Sequence, residues 1–316
     1  MFDSIVTLSL NPAIDVTLWM DELVVDGNNI VTEERYDAAG KAMNVSRTLR
    51  SFGVDSLALV LAGRYNLHPY EQRLISEGIH YELIPVDGYI RENISIILPD
   101  KSVTRLLRDG FSVEYETVEA LCAKLSDAVS SGTLVVVSGQ LPRGISPTVL
   151  KMICRRIHSL GGKIALDTSS ITLDDLYEVS PWMVKPNYAE MCHYCGRDLR
   201  AQDDMLAAAQ EMNANGVEHV LVSLGRGGML YSGGGVGLRV DVPEVSVVSS
   251  VGAGDCAMGG FIKAFQCGGD ICKCVSTAAA SGTAACLGEG TNPPSKIAMA
   301  NILQQLRCQV LAGQIG

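Results

Sequence analysis

"VSSVGAGDCAMGGF", residues 248–261, decides how this chain is read. Gly252, Ala253 and Gly254 carry almost no side chain and stand directly before a carboxylate, Asp255. Beyond it, Ala257, Phe261 and Phe265 recur at i, i+4 and i+8, one face of a buried helix. The run "VSVV" just ahead (245–248) reads as a strand, so the small residues fall at a strand-to-helix turn. The first N–H groups of a helix have no partner inside it, and the helix dipole adds positive potential there. Such a turn is an anion hole, suited to a phosphate or to charge developing on a transferring phosphoryl group. Asp255 is then expected to stay ionised and to accept a proton from an attacking hydroxyl. The plainer alternative is a glycine-permitted turn with Asp255 as N-terminal cap. A dinucleotide fingerprint also matches "GAGDCA", but it requires a following strand that ends in an acid about 20 residues on. "GGDICKCVSTAAASGTAACLG" follows instead and reads as helix.

Outward from this stretch, short apolar runs alternate with helical patterns. "SIVTLSL" (4–10), "SLALVLAG" (56–63), "TLVVVSG" (133–139), "KIALDTS" (163–169), "WMVKPN" (182–187) and "HVLVSLG" (219–225) read as buried strands. Residues 41–53, 113–129 and 146–162 read as helices, the last with Ser146 as N-cap, Pro147 in the first turn and Gly161 at the stop. Strand and helix in alternation imply a three-layer αβα sandwich on a mainly parallel sheet, in one domain spanning 1–316. Two segments break the pattern. Residues 14–36 and 89–107 alternate apolar and polar positions around the turn signals "DGNN" and "PDKS", and are expected to form a small β-sheet lid outside the main sheet. An open edge on that lid invites pairing with a second copy, hence a homodimer.

With 47% apolar residues, only 5% aromatics and 32 glycines, the chain suits closely packed α/β layers. A formal net charge of −10 argues against nucleic acid or an anionic membrane as partner. No basic, apolar leader opens the sequence, and no run approaches the ~18 apolar residues of a membrane span. Ten cysteines scattered from Cys122 to Cys308 then read as reduced thiols of a cytoplasmic protein. "CHYC" (192–195) lacks the second pair that a zinc site wants. Cys256 stands at a helix N-terminus, which lowers a thiol pKa in principle, although a small packed residue is the simpler reading.

Two other motifs offer ligand-binding groups. In "AAGKAMNV" (38–45), Gly40 and Lys41 resemble the end of a phosphate-binding loop without its spacing, and Asn44 is placed to hold sugar hydroxyls. In "NPAID" (11–15), Asn11 and Asp15 follow the first strand at its carboxyl end, where parallel sheets bind ligands. Helix starts and caps are the bland alternatives for both.

Taken in order, "SLNPAID", "AAGKAMNV", "VSGQLPRG", "LDTS", "VKPNYAEM", "VSLGRGG" and "VGAGDCAMGGF" resemble the PfkB-type carbohydrate kinases of the ribokinase-like superfamily. The resemblance covers nearly the whole chain and is nearest to the branch of 1-phosphofructokinase and tagatose-6-phosphate kinase. It implies ATP-dependent phosphorylation of a sugar or sugar phosphate, with Mg2+ and, as a candidate activator, K+. By the same resemblance, Asp255 is the base and the amides of Gly252, Ala253 and Gly254 are its anion hole. Asp15, Gly40, Lys41 and Asn44 contact the sugar, and Arg91 contacts a substrate phosphate. Lys185, Asn187 and Glu190 handle the ATP phosphates and Mg2+, the last through water. Ser223, Gly225 and Gly228 form the nucleotide loop, while Ala279, Gly282 and Asn301 lie where the adenine pocket is built.

The sequence also departs from the family. Ala39 and Ala42 stand where glycines are usual, Gln140 replaces a serine, and "LAGRYN" (61–66) replaces a glycine-richer loop in which Asn66 is left to adopt a left-handed backbone. The phosphosugar branch carries a lysine shortly after the lid arginine, where this chain has Asn93, Ser95 and Ile97. Arg105 and Arg108 on the next lid strand are candidate replacements. The expected acceptor is fructose 1-phosphate, giving fructose 1,6-bisphosphate. The alternatives are tagatose 6-phosphate, another sugar or a nucleoside, or a catalytically silent sugar sensor.

Overall fold

Alternation along the first strand sets the layers. In the computed structural model, which describes residues 1–288 and 290–314, β1 (Ser4–Ser9) runs through the middle of a ten-stranded sheet. Val6 and Leu8 point to one face and pack with the helices α3 (Tyr115–Ala128), α4 (Pro147–Ser159) and α7 (Gln202–Ala214). Ile5 points to the other, against α1 (Lys41–Ser51), α8 (Ala253–Gln266) and α9 (Ile271–Ala285). On that side Thr7 Oγ1 meets Ser46 Oγ of α1 at 2.5 Å. Two apolar cores, one on each face, make the sandwich.

The parallel strands beside β1 are β4 (Leu57–Gly63) and β5 (His80–Val86) on one flank and β8 (Thr133–Ser138), β9 (Lys163–Asp167), β10 (Met183–Val184) and β11 (His219–Ser223) on the other. Three antiparallel strands, β12 (Met229–Gly233), β13 (Val236–Asp241) and β14 (Arg307–Ala312), finish that edge. All six strands and all three helices expected from sequence are present, and Ser146 caps α4 as anticipated by accepting from Val149 N. The remaining helices, α2 (Leu67–Ser76), α5 (Leu173–Val179), α6 (Tyr188–Cys195) and α10 (Lys296–Leu303), are short or lie under strong tertiary contact.

The lid is a separate four-stranded sheet in the order β3-β2-β6-β7. It comprises β2 (Ala13–Trp19), β3 (Glu33–Ala39), β6 (Arg91–Ile97) and β7 (Val103–Leu107), with both hairpins antiparallel. Ile14, Val16 and Ile94 on its apolar face pack with Val60 of β4 and Tyr70 and Leu74 of α2.

Three local expectations fail. "VSVV" (245–248) is not a strand: the sheet edge is taken by β14, and residues 242–251 run without a ladder, anchored by Val248 N donating to Cys286 O at 2.8 Å. Asn66 is not left-handed (φ −132°); its amide brackets the lid entry, accepting from Ile90 N at 2.8 Å and donating to Ile90 O at 2.9 Å. Nor are all ten cysteines free: Cys272 at the start of α9 is bonded to Cys308 on β14, because the last strand folds back beside that helix. Among the described residues, no helix is long and apolar enough to cross a membrane.

Candidate active site

At the carboxyl ends of the parallel strands, between the main sheet and the lid, lies a cleft of about 1110 Å³. This is where a parallel sheet leaves helix N-termini and strand ends unpaired for ligands. Asp15, Gly40, Lys41, Asn44, Arg91, Lys185, Asn187, Glu190, Ser223, Gly225, Gly228, Gly252, Ala253, Gly254, Asp255, Ala279 and Gly282 all line it.

The lid supplies one end. Asp15 on β2 and Asn93 on β6 are direct partners across the ladder, and Asn93 Nδ2 donates to Asp15 Oδ1 at 2.7 Å. Burial raises the Asp15 pKa, partly offset by the Asn93 bond and the nearby Arg91. Arg91 is pushed down by burial, and its Nε is buried with no hydrogen-bond partner among the described residues.

The glycine-rich turn and Asp255 lie at the start of α8, on the wall of the same cleft. Gly252, at φ +79°, is the N-cap of α8 and supplies no side-chain cap. A left-handed backbone at this point suits glycine and leaves the first-turn amides open to a ligand. Asp255 is in the first turn, but it does not cap the helix: its Oδ2 accepts from Asn44 Nδ2 of α1 at 2.8 Å. The cap alternative therefore fails. Burial first, then the neighbouring Asp167, pushes the Asp255 pKa up to about 7, against the pull of Asn44, Lys185 and Lys41. The expectation of a permanently ionised carboxylate is thus corrected. A carboxyl raised to about 7 lies in the range suited to general acid–base chemistry near neutral pH.

Cations flank Asp255 and the neighbouring Asp167. Asp167, 3% exposed at the end of β9, takes Lys41 Nζ on one oxygen and Lys185 Nζ on the other, each at 3.3 Å. Burial lowers Lys41, but Asp167, Asp255 and Glu190 outweigh it and raise the pKa, so Lys41 stays charged. Lys185 lies over the start of α8: a Cβ on Gly254 would stand 2.9 Å from its Nζ, so that glycine is what admits the ammonium. Asn187 and Glu190 form a reciprocal capping box at the start of α6. One Glu190 oxygen is engaged there, and no group of three or more His, Cys, Asp or Glu able to hold a metal exists among the described residues. That donor set fits Mg2+, which usually keeps several waters and binds through phosphates and one or two carboxylates, rather than a protein cage.

The far wall is apolar and small. Ala279 and Gly282 of α9 face Val242, Val245, Val247 and Val251 of the strandless segment. Gly228 has φ +83°, and any side chain there would collide with the Val240 carbonyl. This wall is a slot for a flat apolar group.

Three expected residues are not among those lining the cleft. Asn11 is half-buried just past β1, Arg105 is exposed on the outer lid strand, and Asn301 is exposed on α10, behind α9. Arg105 does share the Asp15 face of the lid, through its register with Ser95, whereas Arg108 is engaged by Glu92 at 2.6 Å. Asp167, Asn93, noted only at the position of a missing lysine, and segment 242–251, noted only for a strand at 245–248, line the cleft without having been expected there. For Asp167 the signal was present, a lone acid ending a buried strand in "LDTS". Cys256 is buried with its thiol pushed up to about 12 by burial, so helix position does not activate it.

Residues 6–298 match the pfkB family carbohydrate kinases. The 1-phosphofructokinase of Haemophilus influenzae is 31% identical over 266 residues, covering 84% of this chain and 85% of the relative. That of Escherichia coli K12 is 32% identical over 258 residues, covering 82% and 83%. Among solved structures, phosphofructokinase-2 from Escherichia coli in complex with potassium superposes with a TM-score of 0.88 at 25% identity, covering 96% of this chain and 99% of that one. With a buried acid, the open amides of a helix start and paired lysines converging in one cleft, and with homology along almost its whole length, the chain belongs to the pfkB family of carbohydrate kinases and is a sugar phosphotransferase.

Proposed function

We propose that the enzyme transfers the γ-phosphate of ATP to the free primary hydroxyl of a ketohexose phosphate, with fructose 1-phosphate giving fructose 1,6-bisphosphate. The observation that supports the choice of a phosphorylated acceptor is Arg91, a half-buried guanidinium in the cleft whose Nε has no hydrogen-bond partner among the described residues. Asp15 is the acid whose charge acts on it, and a buried donor left unpaired is costly, so a substrate phosphate would satisfy the Nε. The relatives named 1-phosphofructokinase support the position of that phosphate.

In this reading Asp15, fixed by Asn93, and Asn44 hold sugar hydroxyls, with Lys41 and the backbone at Gly40 beside them. Asp255 takes the proton of the attacking hydroxyl through Oδ1, because Oδ2 is occupied by Asn44. The amides of Gly252, Ala253 and Gly254, with Lys185, stabilise charge on the phosphoryl group in flight. Glu190 would hold Mg2+ through water, and the ion, when bound with ATP, would supply neutralising charge at the nucleotide phosphates. Ser223, Gly225 and Gly228 cradle the nucleotide, and Ala279 and Gly282 flank its base. A potassium complex of the structural relative makes K+ a candidate activator here.

The test is ADP release with Mg-ATP across fructose 1-phosphate, tagatose 6-phosphate, fructose 6-phosphate, ribose, free hexoses and nucleosides. Fructose 1-phosphate is expected to give the highest kcat/KM. Turnover confined to an unphosphorylated sugar or nucleoside would reject the assignment to Arg91. Silence across the panel would leave a sensor.

A further inference from the structure

The cleft residues do not explain Arg47. It lies one turn beyond Asn44 on α1, points inward and is 6% exposed. An apolar side chain would fill that space without the cost of desolvating a charge. Its contacts are informative. Nε donates to Glu77 Oε2, at the C-terminal end of α2, at 2.6 Å, and Nη1 reaches Asn44 Oδ1 at 3.5 Å. The second contact is long, so it acts as charge on a dipole more than as a tight bond.

That dipole matters because an Asn amide has two unlike ends. With a guanidinium on the Oδ1 side, Asn44 must present Nδ2 to Asp255, which it does at 2.8 Å. Flipped, it would aim an oxygen at a carboxylate. The hold also extends away from the base. Glu77 faces Arg73 Nε at 2.8 Å, an ionic contact whose angle does not make a directed hydrogen bond. Arg73 Nη2 in turn meets Asp37 of lid strand β3 at 3.1 Å, and Asp37 stands directly across the ladder from Asp15.

We propose that Arg47 is a positioning residue that keeps the donor end of Asn44 on Asp255, and that Glu77 and Arg73 carry this hold to the lid strand beside Asp15. The inference rests on Asp255 being the base. Through it, Asp255 and the lid strand paired with the Asp15 strand share one chain of polar contacts. Arg47 touches neither substrate nor nucleotide in this scheme, so its influence passes through Asn44.

A double-mutant cycle tests this, using kcat with Mg-ATP and the best acceptor for wild type, Arg47→Met, Asn44→Ala and the double variant. Arg47→Met is expected to lower kcat about tenfold with KM for ATP unchanged, the scale of a small misplacement. In the Asn44→Ala background the same change should add less than about twofold. Arg47→Lys should recover most of the loss, which a simple packing defect would not predict. Glu77→Gln repeats the cycle should Arg47→Met fail to fold. Multiplying losses, or wild-type kcat in Arg47→Met, would overturn the proposal. Wild-type turnover in Asp255→Asn would instead remove the base assignment on which it stands, so the two failures are told apart.

Discussion

Asp255 carries opposed demands. As the proposed base it works best away from water, yet burial raises its pKa to about 7 from an unfolded value near 3.8. A carboxylate raised in the fold makes the native state bind more protons than the unfolded chain between those values. Stability therefore falls as pH rises from about 4 to about 7, and is flat beyond. Asp255→Asn removes this penalty. The variant is expected to melt a few degrees above wild type near pH 8, with the gap closing near pH 5. A pH-independent gap in thermal melts would mean that the carboxylate is not held in its raised state. The sequence told which acid stood beside the glycines, but not its ionisation. That depends on Asp167 and Asn44, residues 88 and 211 positions away along the chain, the latter separation being that of the hydrogen bond itself.

At the scale of elements, periodicity worked wherever one face is buried. The central main-sheet strands, buried on both faces, were legible instead as continuous apolar runs, and α4 begins and ends at its sequence signals. It failed at 245–248, where the β-branched residues read as a strand have no partner strand: Val245 and Val247 line the cleft, and Val247 and Val248 are exposed. The lid is the element with most left exposed. Val103 and Leu107 of β7 are 47% and 74% exposed on the Asp15 face of a sheet whose outer strands have open edges. We expect a homodimer that buries this face. Sedimentation or light scattering should give a dimer mass, and Leu107→Lys should shift it toward monomer. A monomer at every concentration would refute the lid as an interface.

For the whole molecule, seven ordered motifs made the fold and the kinase class legible, because six of them sit at strand ends, the seventh opens α8, and these ends converge at one edge of the sheet. Three distances were not legible. Asn11 and Asn301 fall away from the cleft because the one is half-buried just past β1 and the other is on a helix behind the wall. Arg105 sits on the right face of the lid but on its outer strand. Asp167 is the reverse case, a residue outside the expected site that the fold makes the bridge between Lys41 and Lys185.

The account turns on one group at the mouth of α8. The most direct measurement is ADP release by wild type and Asp255→Asn with Mg-ATP and fructose 1-phosphate, from about pH 6 to pH 9. Wild-type kcat/KM should climb with pH through a limb near 7, and the Asn variant should be at least ~100-fold slower with no such limb. A variant within a few-fold of wild type, or one that keeps the limb, would contradict the claim that Asp255 takes the proton.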